Sequence, residues 1–266
     1  MNELRIRLGD ASVGYTDTGD DAEPIIFLHG NSSSRTAFAA VIAQLQPQRR
    51  CVAFDLFGHG SSSLPSDGCS LPRYVQMLPQ VLSALSISAC TLIGHSLGGH
   101  IAMEALPLLR EHVRIRALIG ISAPPFNLAS LGNALRDPVD GLLFQPDLSL
   151  AEAERVALAL ANPRNVSPGE HRLISDRIIA TSPDARRAIA RSIASGELGD
   201  EVEICRASPV PRLFIQGSED GFVAQDYLEK LSAHVPLRLA LLEGVRHSPH
   251  LEAPLAVARA VREMLA

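Results

Sequence analysis

The chain has 266 residues and 46% of them are hydrophobic, which is enough apolar material for one large α/β domain or for a domain with an insert. Its net charge of −5 provides no basic field, so nucleic acid is not an expected partner. No apolar run is long enough to span a bilayer, and Glu3 stands where a secretory leader carries basic residues, so we expect a cytoplasmic protein.

Hydrophobic periodicity predicts an alternation of strands and helices. The first two predicted strands follow each other directly, which indicates a hairpin, and the later alternation predicts a mostly parallel eight-stranded sheet with helices on both faces. The predicted strands are residues 4–8, 13–17, 25–29, 50–55, 90–95, 115–122, 210–216 and 237–242. The predicted helices are residues 34–46, 71–86, 97–110, 222–234 and 252–265.

One long interval, residues 123–208, contains no predicted strand. It shows helical patches instead, and a connection of this length inside a compact domain needs structure of its own. The patches cover residues 128–136, 149–161, 169–181 and 184–195. We therefore expect a helical cap at 123–208, inserted after the sixth strand, and a core domain made of residues 1–122 and 209–266.

A short motif around Ser96 indicates the chemistry. Gly94 and Gly98 flank it as G-x-S-x-G, and the serine lies between a predicted strand and a predicted helix. Such a sharp turn holds the serine in a strained backbone conformation, and a side chain at either flanking position would collide with neighbouring backbone. Ser96 is the candidate nucleophile.

A serine hydroxyl needs a base and a group that orients the base. Asp220 follows one late strand and His247 follows the next, in the chain order Ser, Asp, His. Glu219 is the alternative acid and His250 the alternative base. We expect Asp220 to orient His247.

The loop after the third strand, His29-Gly30-Asn31-Ser32, is expected to help stabilise an oxyanion. Gly30 allows the backbone to turn so that the Asn31 N–H faces the site, and the N–H of Leu97 would be the second donor.

Other polar residues near these motifs receive structural interpretations. We expect His29 to brace its loop, and His95 and His100 to be packed or hydrogen-bonded. Arg35 is expected on a solvated helix face or at the pocket entrance. Only His247 and His250 have a ligand-like spacing and no zinc motif is present, so we expect neither a metal nor another cofactor.

These motifs resemble the α/β-hydrolase family over essentially the whole chain. Two further patterns carry the resemblance: Asp55-x-x-Gly58-x-Gly60-x-Ser62 and Gly244-x-x-His247-x-x-x-x-Glu252-x-Pro254. The resemblance implies an α/β-hydrolase fold, with Ser96, Asp220 and His247 as the catalytic triad and Asn31 with Leu97 at the oxyanion.

More narrowly, the sequence is similar to the N-acyl-homoserine lactonases of this fold. The similarity rests on residues 29–34, on residues 96–101, on Phe222-Val223 and on the pattern of residues 142–156. Those lactonases are expected to place a cap tyrosine near the substrate, where this chain has Val156. The expected substrate-binding residues are Gly30, Phe126, Leu142, Phe144, Val156 and Phe222.

The function predicted from these patterns is that of a serine hydrolase that cleaves a small carboxylic ester or lactone through an acyl-enzyme. The specific hypothesis is an N-acyl-homoserine lactonase or a related acyl esterase. A general carboxylesterase, a carbon–carbon bond hydrolase and a non-catalytic ligand receptor on the same fold are the alternatives, since fold alone does not imply catalysis.

Overall fold

A computed structural model describes residues 3–19, 22–46 and 48–266; Met1 and Asn2, at the start of the segment considered for a leader, lie outside the described residues. Eight strands form one sheet in the order β1-β2-β4-β3-β5-β6-β7-β8. Their bounds are β1 Leu4–Leu8, β2 Ala11–Asp17, β3 Ile25–Leu28, β4 Cys51–Phe54, β5 Ala89–His95, β6 Arg114–Ile121, β7 Arg212–Gly217 and β8 Arg238–Leu242. β2 pairs antiparallel with β1 and β4, and the other neighbours are parallel, which confirms the predicted mostly parallel sheet.

The α-helices lie on both faces of this sheet and in the interval between β6 and β7. Those outside the interval are α1 Ala39–Leu45, α2 Leu71–Ala84, α3 Leu97–Leu109, α9 Gln225–Ser232, α10 Pro249–Glu252 and α11 Pro254–Met264. Those inside it are α4 Leu131–Ala134, α5 Leu150–Leu160, α6 Pro168–Ala180, α7 Pro183–Ala194 and α8 Glu201–Ala207.

The strand β3 shows why its sequence is a continuous apolar run. Successive side chains of a strand point to opposite faces. Ile26 and Leu28 pack into a cluster with α2 and α3, whereas Ile25 and Phe27 pack into a second cluster with α1 and α11. Both faces of the strand are therefore buried, as is typical of parallel sheets covered by helices.

Several helix boundaries differ from the predictions for local reasons. The predicted helix 34–46 begins with a 3₁₀ turn, Arg35–Phe38, before α1. The predicted helix 252–265 is interrupted at Ala253, whose φ of −139° and ψ of 54° are not helical, just before Pro254. The helix predicted at 222–234 begins only at Gln225, because Phe222 and Ala224 hydrogen-bond with the backbone of Arg136 and Ala134 in an antiparallel bridge instead.

The interval 123–208 is helical, as predicted, and supplies most of one apolar cluster, which Phe222 joins from outside the interval. The buried residues of this cap cluster include Val139, Leu142, Val156, Ile174 and Ile178. Helix α8 adds to the predicted helices, because none was predicted between residue 196 and β7.

Among the described residues, no helix has both the length and the apolar character needed to cross a bilayer.

The starts of the cap helices follow from their sequences. The Ser149 hydroxyl accepts the N–H of Glu152, and the Glu152 carboxylate accepts the N–H of Ser149, which forms a capping box at α5. At α6 the Ser167 hydroxyl accepts the N–H of Glu170, and Pro168 occupies the first helical position.

Candidate active site

Ser96 lies at the sharp turn between β5 and α3. Its φ of 48° and ψ of −122° confirm the strained backbone predicted there, and its N–H donates to the carbonyl oxygen of Ile121 at 2.9 Å. A Cβ atom on Gly94 would overlap the backbone of Gly98, and one on Gly98 would overlap the carbonyl of Leu28. The flanking glycines are therefore a steric requirement of the turn.

The loop that follows β3 packs closely against this turn. A Cβ atom on Gly30 would lie 2.8 Å from His95 Nδ1 and 3.2 Å from Ser96 Cβ. His29 holds the loop: its Nε2 accepts the Leu56 N–H at 3.0 Å, so its Nδ1 carries the proton and donates to the Gly30 carbonyl at 2.7 Å. Burial lowers the pKa of His29, which keeps the ring neutral.

Asp220 and His247 form a buried hydrogen-bonded pair. His247 Nδ1 lies 2.9 Å from each carboxylate oxygen of Asp220, and the two side chains are 4% and 1% exposed, respectively. Three further donors hold the carboxylate: the N–H groups of Phe222 at 2.8 Å and Val223 at 3.2 Å, and Gln216 Nε2 at 2.8 Å. Burial raises the pKa of Asp220, but the interactions with His247 and the N–H donors outweigh it and the net pKa is lowered.

Glu219, the alternative acid, has a different partner. Its carboxylate accepts a hydrogen bond from Asn162 Nδ2, in the cap, at 3.0 Å. Glu252 connects the cap to the loop that carries His247. Its carboxylate accepts the N–H of Asn162, in the cap, at 3.0 Å and the N–H of Arg246, in the loop, at 3.0 Å. The loop of His247 is thus tied to the cap. In the sequence, Glu252 stands out only as part of a motif, and nothing there predicts a role for Asn162.

His250, the alternative base, is fully buried behind the pair. Its ring lies 4.3 Å from the ring of His95 and 4.9 Å from the ring of Phe38, measured between centroids. Burial, followed by the neighbouring His95, lowers its pKa well below the usual value. His250 is therefore placed for packing, whereas the side chain of His247 lies on the wall of a cavity.

A cavity of about 370 Å³ lies between the carboxyl ends of the strands and the cap. Ser96, His247, Asn31 and Leu97 all line it, so the structure brings together the predicted catalytic and oxyanion residues. Within the described part of the chain, the backbone N–H groups of Asn31 and Leu97 have no hydrogen-bond acceptor. The Asn31 side chain is engaged elsewhere, since Nδ2 donates to the Leu143 carbonyl in the cap at 3.0 Å.

The expected substrate-binding residues divide into three groups. Phe126, Phe144 and Phe222 line the cavity, and Gly30 lies directly behind Ser96. Leu142 and Val156 were expected to bind the substrate, but they are buried in the cap cluster and do not line the cavity. Their apolar side chains face other cap helices, so the position that resembles the lactonase tyrosine position stabilises the cap.

Arg35 also differs from its expectation. It is buried and forms an ion pair with Asp55, a carboxylate with no exposed surface that also accepts the Arg35 N–H at 2.7 Å and the Ser61 N–H at 2.9 Å. Arg35 thus compensates a buried charge in the turn after β4 and lies neither at the pocket entrance nor on a solvated face.

No cluster of three or more metal-ligating side chains is found in residues 3–19, 22–46 and 48–266. A reaction without a metal or cofactor stays a prediction from the sequence.

The cavity wall also includes polar residues that were not predicted to be functional. They are His100 and Glu104, and Glu201 lies beside His100.

Comparisons with known proteins agree with this architecture. A family profile described as "Alpha/beta hydrolase family" matches residues 25–260. This chain is similar in structure to a mutant of the N-acyl homoserine lactonase AidH, crystallised in complex with N-hexanoyl homoserine lactone. The TM-score is 0.88 at 25% sequence identity, and the superposition covers 99% of this chain and 98% of that chain. The esterase YbfF of Escherichia coli is 27% identical over 91% of this chain and 92% of its own. A 2-hydroxymuconate semialdehyde hydrolase of Pseudomonas sp. is 28% identical over 87% of this chain and 82% of its own.

Proposed function

Because the chain belongs to the alpha/beta hydrolase family, whose fold the sequence predicted, we propose that it is a serine hydrolase that cleaves a carboxylic ester or lactone through an acyl-enzyme. The observation that carries the proposal is the Asp220–His247 pair at 2.9 Å, with His247 on the same cavity wall as Ser96.

The proposed reaction uses this chain's own residues at each step. His247 Nε2 takes the proton of Ser96 Oγ as that oxygen attacks the substrate carbonyl, while Asp220 holds His247 Nδ1–H and stabilises the imidazolium. The N–H groups of Asn31 and Leu97 donate to the oxyanion. His247 then gives its proton to the leaving alcohol, and the same groups activate the water that hydrolyses the acyl-enzyme.

The cavity supports a substrate with an apolar acyl part. Its wall includes many aliphatic side chains from the core and the cap: Leu71, Val75, Ile101, Leu131, Leu135, Leu143, Ile189, Ile193 and Leu198. Each methylene group buried there contributes about 0.8 kcal/mol. Together with the similarity to the N-acyl homoserine lactonase AidH, this favours N-acyl-homoserine lactones or related acyl esters as the substrates.

A carbon–carbon bond hydrolase is the second candidate, supported by the similarity to the 2-hydroxymuconate semialdehyde hydrolase. A general carboxylesterase would use the same residues with broader acyl specificity. A panel of acyl-homoserine lactones, linear acyl esters and a vinylogous diketone substrate, analysed by mass spectrometry, separates the three.

Fluorophosphonate labelling tests the serine mechanism directly. We expect the probe to label wild-type protein at Ser96 and to fail on Ser96→Ala, which should also lose nearly all turnover because nucleophile and base act as a unit. Ser83→Ala is the control, since it removes an exposed hydroxyl on α2 and should still be labelled. Peptide mapping of the adduct to a different serine would refute the proposal, and so would the absence of turnover on every ester and lactone.

A further inference from the structure

The cavity contains a polar strip that the proposed mechanism does not use. His100 and Glu104 both line it and lie on α3, one and two turns beyond Ser96. At about 1.5 Å of rise per residue, they stand roughly 6 and 12 Å along the helix axis from the serine. Since ligand pockets combine apolar walls with a few polar groups that set specificity, this strip is a candidate for substrate recognition.

His100 is held in one orientation by a buried carboxylate. Its Nδ1 lies 3.0 Å from both oxygens of Glu201, which has no exposed surface and also accepts the Phe126 N–H at 3.0 Å. Nδ1 therefore carries a proton and donates to Glu201. No hydrogen bond to Nε2 from any residue of the described segments is present, which leaves this nitrogen free for a ligand.

Glu104 adds a second acceptor one turn further along the cavity. Burial raises the pKa of Glu104, and the nearby Glu201 raises it further, while the Gly199 N–H and His100 act in the opposite direction. A partly buried carboxyl group among aliphatic side chains gains most from a hydrogen-bond donor placed beside it.

We propose that His100 and Glu104 bind a hydrogen-bond donor, a hydroxyl or an amide N–H, carried by the acyl part of the substrate several bonds from the reactive carbonyl. Glu201 is the positioning residue that holds His100. This assignment rests on the proposed function and narrows its substrate class to esters or lactones whose acyl part carries a hydrogen-bond donor.

Matched p-nitrophenyl esters test the proposal. One carries a plain alkyl acyl chain, a second the same chain with a hydroxyl group in its middle, a third an amide N–H at that point, and a fourth the N-methylated amide, which has no donor. We expect wild-type kcat/KM to be about tenfold higher for the amide ester than for its N-methyl counterpart, the effect of one hydrogen bond to a carboxylate or imidazole. The hydroxyl arm shows which of the two donors is preferred.

Glu104→Leu removes the acceptor with little change in volume, and it should cut this ratio several-fold. The readout is the ratio within one variant, so an effect common to all four esters does not count. Glu104→Gln keeps an acceptor oxygen and should keep most of the ratio. Ile193→Leu, which alters the cavity wall without a polar change, should affect all four esters alike. His100→Leu removes the side-chain partner of the buried Glu201 carboxylate and is examined only if it folds. The Glu104→Leu result tests the proposal without it.

A wild-type enzyme that turns over all four esters with no preference for a donor overturns this inference and leaves the proposed function intact. The same holds if the preference survives in Glu104→Leu. Absence of both ester turnover and fluorophosphonate labelling overturns the proposed function, and this inference with it.

Discussion

The side chain of His95 binds the backbone of His247. His95 Nε2 donates to the His247 carbonyl oxygen at 2.8 Å, and the two rings are 5.1 Å apart between centroids. Burial, followed by the neighbouring His247, lowers the pKa of His95 to about 3, so the ring is neutral at pH 7 with its proton on Nε2. Although His95 precedes Ser96 in the sequence, it holds the loop of the proposed base, 152 residues further along the chain.

This contact predicts that His95 is a positioning residue. His95→Leu leaves the His247 carbonyl unpaired, which costs about 1–3 kcal/mol, and kcat should fall about tenfold or more with little change in KM. His95→Gln can still donate at this position and should recover much of kcat. A His95→Leu variant with full kcat and an unchanged pH profile would contradict a positioning role.

The contacts of Asp220 and Glu219 predict opposite sensitivities for two neighbouring carboxylates. Asp220→Asn should fold but lose several orders of magnitude in kcat, because the amide spoils the orientation and tautomer of His247. Glu219→Gln keeps an oxygen that can accept from Asn162 and should change kcat less than threefold. Steady-state kinetics with one ester measures both variants, and the reverse ranking would move the acid role to Glu219.

The packing of Gly30 predicts a loss of activity from a single methyl group. In Gly30→Ala the new Cβ would lie 2.8 Å from His95 Nδ1, so the loop or His95 must shift, and the Asn31 N–H shifts with the loop. Losing one oxyanion donor costs about 10²–10³ in kcat. Gly169→Ala is the matched control: its Cβ would meet only Ser167 Oγ, at 3.7 Å, and helical alanine is about 0.5–1 kcal/mol more stable than glycine. Equal kcat values for the two variants would argue against a role of the Asn31 loop.

Buried histidines predict that the protein loses stability in acid. Burial, followed by His29, lowers the pKa of His59 to about 3, whereas an unfolded histidine titrates near 6.5. Below pH 6.5 the unfolded state therefore binds more protons, and the free energy of unfolding falls as the pH falls towards 3. For His59 alone the loss between pH 7 and pH 5 is about 2 kcal/mol.

His59→Asn removes this titrating group, so its free energy of unfolding should depend less on pH than that of wild type. Urea unfolding at pH 7 and pH 5 measures the difference, whatever the absolute stability of the variant. Parallel pH dependences for the two proteins would show that His59 is not held neutral in the folded state.

The sequence alone determined the features that depend on neighbouring residues. Continuous apolar runs such as Ile25 to Leu28 identified buried strands, because strands covered on both faces carry apolar side chains at every position. Glycines two residues either side of Ser96 identified the turn, because a Cβ at either position overlaps backbone. Helix α8 was not predicted from the sequence, because only Glu201 and Cys205 are buried along its seven residues. Two buried positions are too few to show a helical period.

Tertiary structure decided the relationships between segments that are distant in the sequence. The sequence offers adjacent carboxylates at 219 and 220 and favours Asp220 as the acid, but only the end of β7 shows that Glu219 is directed to the cap and Asp220 to His247. Leu142 and Phe144 belong to one 3₁₀ turn, yet packing buries the first in the cap cluster and places the second on the cavity wall. His100 acquires its buried partner only when α8 packs against α3 across 101 residues of chain. Local periodicity determines which face of an element is apolar, and the packing of elements against one another determines what each polar group meets.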